Sequence, residues 1–158
     1  MALNPSALSS SLRNSWLPGD NGPHHGSASA SGDAFAGAVS GWFASATAGA
    51  FPCSTALARR SQLASSAAGA FQAGQAATSG ALLATGLTAY VAGQLFGAGA
   101  ALPPLGTGAA QAAFVGVFLD LGADTPARAD RLAQAIWALA ITTVVVFPPV
   151  ISPPVPVT

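Results

Sequence analysis

The sequence predicts an all-α protein, built as a bundle of five or six short helices with an N-terminal arm and an extended, proline-rich C-terminal tail. Alanine supplies 38 of the 158 residues, and alanine has the highest helix propensity of all residues. Apolar side chains recur at steps of three or four through most of the chain, as on one face of a helix. Five prolines among the last twelve residues exclude a helix there and favour extended backbone.

The N-terminal arm, residues 1–32, is predicted to contain one short helix followed by a loop. The pair Asn4-Pro5 is a capping residue before a first-turn proline, and apolar residues then recur at steps of four. These residues are Leu8, Leu12 and Trp16. Residues 17–32 are rich in glycine, proline and serine, which is typical of an exposed loop. The apolar side of this helix needs a partner, and we assign it to contacts with a neighbouring subunit.

Residues 33–146 are predicted to form the helical bundle. Each further helix is expected to begin at a capping residue that precedes an apolar run. These starts are Asp33, Ser54 or Thr55, Thr78 or Ser79, Thr107, and Asp124 before Pro126. The large side chains expected in the core are Trp42, Phe43, Phe71, Phe114, Phe118 and Trp137. The β-branched run at 142–146 could continue the last helix or be extended.

Two glycine pairs suggest places where helices pack closely. Gly37 with Gly41, and Gly93 with Gly97, each lie four residues apart. This spacing puts both glycines on one helix face and lets two backbones approach each other. Helix contacts at these pairs are one interpretation, and chance matches in a chain rich in alanine and glycine are the other.

The C-terminal tail, residues 147–158, combines prolines with aliphatic side chains. Its aliphatic residues are Val150, Ile151, Val155 and Val157. Leaving them in water would create an apolar surface patch. We expect the tail to lie in a groove of its own bundle or of a neighbour, and we assign these four residues to contacts between subunits.

Charge is scarce and unevenly distributed along the chain. Only 6% of residues are charged, none is Lys or Glu, and residues 61–119 contain no charged side chain at all. Surfaces of free monomers usually carry many more charges, so lipid or neighbouring subunits should cover much of this one. The net charge of zero and the lack of a basic patch argue against nucleic-acid binding.

A small, holin-like integral membrane protein with two Ala/Gly-rich spans is the alternative. The candidate spans are residues 81–101 and 132–151. Alanine is a weak hydrophobe, however, and the second window reaches Pro148 after 16 residues, which is short for a span. A membrane location is therefore not expected. The first residues lack the basic and apolar regions of a secretion signal, so we expect the chain to stay in the compartment where it is made.

Residues that could support catalysis or bind a metal are few and dispersed. They are Asp20, His24, His25, Asp33, Cys53, Asp120, Asp124 and Asp130. No nucleophile motif or metal-ligand spacing joins them. The sequence predicts no catalytic residues, no cofactor and no metal site. Cys53 is expected to be a small buried side chain, and the charges from Asp120 to Arg131 are expected to form local ion pairs or bridges between subunits.

The order of several motifs resembles that of small helical virion proteins encoded among the structural and tail genes of tailed bacteriophages. These motifs are Gly41-Trp42-Phe43, Phe51-Pro52-Cys53-Ser54-Thr55, Phe71, Pro103-Pro104 and Trp137, within residues 32–146. The resemblance implies a non-enzymatic structural subunit of the tail, baseplate or neck. Such a subunit would assemble with copies of itself and other virion structural proteins, first in the host cytoplasm and finally in the virion.

Overall fold

The computed structural model describes residues 3–17, 19, 23–148 and 154–158, and over these the chain forms six helices and six short strands. The helices are α1 (Pro5–Ser15), α2 (Ala28–Phe43), α3 (Arg60–Gln72), α4 (Ala76–Val91), α5 (Thr107–Leu119) and α6 (Thr125–Ile141). The strands are β1 (Thr47–Ala48), β2 (Phe51–Pro52), β3 (Leu95–Phe96), β4 (Gly99–Ala101), β5 (Val144–Val146) and β6 (Val155–Pro156). The helical bundle is confirmed, but all-α is too narrow a class because the strands form antiparallel sheets.

Capping side chains explain where three of the helices begin. The side-chain oxygen of Asn4 accepts from the Ser6 amide at 2.9 Å, and that of Asp124 accepts from the Ala127 amide at 2.8 Å. Helix α2 begins earlier than predicted because Ser27, and not Asp33, provides its cap. Such side chains satisfy amides that have no partner within the helix.

The six helices form a closed ring. Each helix packs against the next along the chain, and α6 returns to pack against α1. Helices α2, α4 and α6 provide most of the large side chains of the core, whereas α1, α3 and α5 bury fewer positions. Closure of this ring gives α1 partners on both sides within its own chain.

The architecture repeats three times, each unit being a helix pair followed by a β-hairpin. Helix α4 begins 48 residues after α2, and α6 begins 49 residues after α4. Corresponding positions are buried in all three helices, as in the sets Phe35, Leu83 and Leu132; Val39, Leu87 and Ile136; and Trp42, Tyr90 and Leu139. This repeat is not visible in the sequence, because burial recurs at these positions while residue identity does not.

The strands also close into a ring, which lies at one end of the helices. Hairpins β1-β2, β3-β4 and β5-β6 each pair antiparallel, and β4 pairs with β5. Two bridges complete the ring, one between Cys53 and Phe96 and the other between Ala48 and Val157. Six of the eight residues paired between hairpins are buried, namely Ala48, Cys53, Phe96, Ala101, Val145 and Val157, whereas Ala100 is exposed and Val146 is half-buried. Each described strand is therefore paired on both sides, as in a barrel.

The arm and the tail both pack on their own chain in this structure. Leu8, Leu12 and Trp16 are buried in the core, where α1 contacts α2 and α6. Val157 is buried inside the strand ring, and Val155 packs against the core. These residues were assigned to contacts between subunits, and here they lie within one subunit. Val150 and Ile151 lie outside the described residues.

Close helix contacts use other glycines than the two predicted pairs. A Cβ atom on Gly41 would meet nothing within 4 Å, and one on Gly37 would meet only the Arg60 side chain. Gly93 and Gly97 follow α4 and have positive φ, so they do not lie on a helix face. The tight approaches occur instead at Gly32 and Gly80. The Gly37/Gly41 and Gly93/Gly97 interpretation is therefore wrong.

The described part of the chain contains no helix that is both long enough and apolar enough to cross a membrane. The proposed window at 81–101 is divided between α4 and the β3-β4 hairpin, and the window at 132–151 between α6 and β5.

Candidate assembly surface

Three of the aspartate side chains among the described residues are engaged in local contacts. Asp120 forms an ion pair with Arg131 at 2.5 Å, and a hydrogen bond from Arg131 lowers the pKa of Asp120. Asp124 caps α6, and Asp130 accepts from Ser9 Oγ at 2.5 Å. Over the described residues, no group of three or more His, Cys, Asp or Glu side chains could hold a metal ion.

Cys53, which pairs with Phe96 in the strand ring, belongs to a buried network of polar groups. Gln94 is fully buried, and its Oε1 accepts from Thr55 Oγ1 at 2.6 Å and from Cys53 Sγ at 3.6 Å. Its Nε2 donates to the Tyr90 carbonyl at 2.9 Å, and the Tyr90 hydroxyl donates to the Ala56 carbonyl at 2.9 Å. Burial raises the pKa of both the Cys53 thiol and the Tyr90 hydroxyl. The thiol is therefore held in its protonated, unreactive form.

Cys53 should resist alkylation in the folded protein. We expect iodoacetamide at pH 8 to label it at least roughly tenfold more slowly than in urea, because only an accessible thiolate reacts readily. A variant combining Cys53→Ser with Ser54→Cys moves the thiol to the adjacent exposed position and should label quickly. Mass spectrometry of timed samples measures both rates. Equal rates for the two folded proteins would contradict the buried assignment.

The strands lie at one end of the molecule, in the segments that follow α2, α4 and α6. These segments contain no charged side chain. This hairpin end comprises residues 44–58, 92–106, 141–148 and 154–158. Arg59, which comes immediately after the first segment, donates to the carbonyls of Ala89 and Ala92 at the end of α4. Its charge thus offsets the negative end of that helix.

Large apolar side chains are exposed across the segments of the hairpin end. They are Phe51, Leu57, Leu95, Leu102, Leu105 and Ile141. Leu105 has 91% of its surface accessible, and it follows the rigid pair Pro103-Pro104. Phe51 contacts Phe147 with ring centroids 5.2 Å apart. A cluster of exposed apolar groups without charge is typical of a protein contact surface.

Glycines of the second hairpin make room for that aromatic pair. A Cβ atom on Gly97 would lie 2.8 Å from the Phe51 ring, and one on Gly99 would lie 2.6 Å from the Phe147 ring. Gly97 also has φ of +61°, which a left-handed turn requires. The two rings therefore pack against the turn of the second hairpin.

The opposite end of the helices carries most of the charge. This charged end is where α1, α3 and α5 finish and α2, α4 and α6 begin. Its described ionisable residues are Arg13, His24, His25, Asp120, Asp124, Arg128, Asp130 and Arg131. Leu119 and Leu121 are exposed here as well, but among charged neighbours. Arg60, at the start of α3, lies beside the hairpin end, and Asp33 lines a cleft with it and with Leu57 and Ala58. Most of the described charges thus lie at the charged end, whereas Arg59, Arg60 and Asp33 lie beside the hairpin end, whose own segments carry none.

The predicted core aromatics lie in or against the core. Trp42, Phe43 and Phe114 are buried, and Phe71, Phe118 and Trp137 are partly buried and packed against the same cluster. Trp42 Nε1 donates to the Asn4 carbonyl at 2.8 Å, which attaches α1 to α2. Sequence reasoning missed Phe96 and Gln94 as core residues.

Comparisons with protein-family models, with curated proteins and with solved structures found no match for this chain.

Proposed function

We propose that this protein is a non-enzymatic structural subunit of a bacteriophage virion or phage-tail-like particle. It acts by assembling with copies of itself and with other virion structural proteins. The observation that carries the proposal is the hairpin end, where exposed apolar side chains lie in segments without a single charge. The virion itself is inferred from the resemblance of the motifs between residues 32 and 146.

Contact through the hairpin end removes apolar surface from water. Such burial contributes roughly 25 cal/mol for each Å², and charged residues are depleted at the centres of protein interfaces. The strands cannot provide the contact by strand addition, because every described strand is already paired on both sides. Side chains such as Leu105 and Phe51 make the contact instead.

The proposed absence of catalysis is supported by the placement of the reactive side chains. Cys53 is buried with a raised pKa, and Asp120, Asp124 and Asp130 are engaged in an ion pair, a helix cap and a hydrogen bond. A catalytic group instead needs to reach a substrate in the correct protonation state.

A charge placed on the hairpin end should abolish assembly. The double variant Leu102→Asp, Leu105→Asp puts two carboxylates where the contact is proposed, and burying an unpaired charge is costly. The matched control is Leu119→Asp, Leu121→Asp, which adds the same charge to exposed leucines at the charged end.

Sedimentation velocity compares the unmodified protein with both variants. We expect multimers for the unmodified protein and the control, and monomers for the hairpin-end variant, all with the same helix content by circular dichroism. Multimers that persist in the hairpin-end variant, or that are lost equally in the control, would contradict the proposed surface.

A further inference from the structure

A second feature lies at the charged end, away from the proposed assembly surface. A cavity of about 350 Å³ opens between the end of α1, the start of α2, the end of α3 and the start of α6. Its lining includes Trp16, His24, His25, Ser31, Phe71 and Arg128. None of the proposed functional contacts uses this cavity.

Arg128 gives the cavity a fixed positive charge. Its Nη2 donates to the carbonyls of Asp120 and Leu121 at 3.1 and 3.0 Å, which holds the guanidinium in place. Its Nε is shielded from water and has no hydrogen-bond partner among the described residues. Because a ligand cannot reach the shielded Nε, the guanidinium contributes its positive charge to the cavity rather than this donor. A planar guanidinium matches the geometry of a carboxylate.

Further polar groups on the cavity wall favour a negative ligand. His25 Nε2 lies 3.0 Å from the Trp16 carbonyl, so this nitrogen donates to it. His24 and the first turn of α2 lie on the same wall, and a helix N-terminus carries a partial positive charge. No carboxylate is among the described residues of the lining. Asp124 immediately precedes the lining residue Thr125, and its Oδ1 accepts a hydrogen bond from the Ala127 amide of α6.

The other side of the cavity is apolar. The Trp16 ring stacks on Phe71 with centroids 5.1 Å apart and an interplanar angle of 21°. Leu17 lines the same region. A ligand that fits must therefore combine a negative group with a flat, apolar body.

We infer that this cavity binds a small carboxylate carrying a planar apolar group. Arg128 and the α2 N-terminus face the carboxylate, and the Trp16-Phe71 stack contacts the apolar body. The carboxylate comes either from a free small molecule or from the carboxyl-terminal residue of a protein chain. The inference is independent of the proposed assembly function, since it concerns the opposite end of the molecule.

The indole N–H signals of the three tryptophans provide the test. Trp16 Nε1 donates to Ser31 Oγ at 2.7 Å within the cavity wall, whereas Trp42 and Trp137 lie outside it. In a titration with benzoate, followed by two-dimensional ¹H-¹⁵N NMR, we expect a saturable shift of the Trp16 signal alone. Benzyl alcohol, which has the same ring without the charge, should produce no such shift. Absence of a saturable benzoate shift, or an equal shift with benzyl alcohol, would overturn the inference.

N-acetylphenylalanine distinguishes the two sources of the carboxylate. This compound imitates the last residue of a protein chain, and benzoate imitates a free aromatic acid. Tighter binding of N-acetylphenylalanine supports a chain end as the ligand, and tighter binding of benzoate supports a free acid. Binding of neither compound would overturn the inference.

Ala28→Glu is the most informative variant, because Ala28 lines the cavity in the first turn of α2. A glutamate there suits the helix N-terminus and so preserves the fold, but it repels a carboxylate ligand. We expect benzoate affinity to fall roughly tenfold or more, as for a lost charge-assisted contact. Ala30→Glu adds the same charge in the same turn at an exposed position outside the cavity and should bind normally.

Arg128→Gln should reduce benzoate binding to a similar degree, and Arg131→Gln on the same helix should not. Equal losses in Ala28→Glu and Ala30→Glu would overturn the inference even if Arg128→Gln failed to fold.

Discussion

Replacing Gly32 with alanine is expected to lower the free energy of unfolding by about 3 kcal/mol, as overpacking of a tight contact does. The new Cβ would lie 2.5 Å from the Ala64 carbonyl oxygen and 2.9 Å from the Ala68 amide nitrogen. Both are backbone atoms of α3, so no side chain can rotate away and the two helices must separate. Urea unfolding followed by circular dichroism measures the loss.

Gly69→Ala is the matched control for this effect. Gly69 lies within α3, and a Cβ atom there would meet nothing within 4 Å. We expect it to raise the free energy of unfolding by up to about 1 kcal/mol, because alanine has the higher helix propensity. A destabilisation at Gly32 no larger than at Gly69 would contradict the close packing of α2 on α3.

Replacing Phe96 with alanine should have the other large effect, a loss of about 3–5 kcal/mol of unfolding free energy. Phe96 is fully buried, pairs with Cys53 in the strand ring, and lies 6.4 Å from the Phe43 ring between centroids. It has the largest side chain of the residues paired between hairpins, so its truncation leaves a cavity between the strands and the helices. The free energy of unfolding of a native protein is roughly 5–15 kcal/mol in total. A loss of this size would therefore bring the protein close to the point at which it unfolds.

The neighbouring residue on the same strand provides the control for Phe96. Leu95 is 41% exposed, so Leu95→Ala removes a side chain that water already reaches and should cost less than about 1 kcal/mol. Both variants are measured by urea unfolding under identical conditions. Similar losses for Leu95 and Phe96 would mean that the interior of the strand ring is not packed as described.

The number of helices and the caps of α1 and α6 were predictable because their signals are local. Asn4 directly precedes the first-turn proline of α1, and Asp124 lies two residues before the first-turn proline of α6. Their side chains cap these helices as the sequence indicates. Alanine-rich segments between such caps leave few alternatives to helix. By contrast, α3 and α4 begin at Arg60 and Ala76, without a side-chain cap, and not at the predicted Ser54 or Thr55 and Thr78 or Ser79. The start of α2 was misplaced because Ser27 and Asp33 are both good caps, and only the packing of residues 28–32 decides between them.

The strands were not predictable, because most of them are two residues long and give no alternating pattern. The run at 142–146 was the exception, and its extended alternative is realised in β5. Closure of the ring depends on pairs far apart in sequence, such as Ala48 with Val157. Local patterns carry no information on such pairs.

The partners of the arm were also beyond local reasoning. The spacing of Leu8 and Leu12 indicates an apolar face that needs a partner, and it says nothing about whether that partner belongs to the same chain. The decisive fact is that α6 returns beside α1, which only the complete ring reveals. The surface at the hairpin end was predictable only in part. The sequence shows the lack of charge, but it does not show which apolar residues are exposed.

The mass of the unmodified protein in solution tests the central claim of assembly most directly. Expressed and purified without detergent, the protein should give a light-scattering mass several times that of its 15.3 kDa chain, and electron microscopy of that fraction should show rings or tubes. A mass equal to one chain at every concentration, or recovery only from the membrane fraction with detergent, would contradict it.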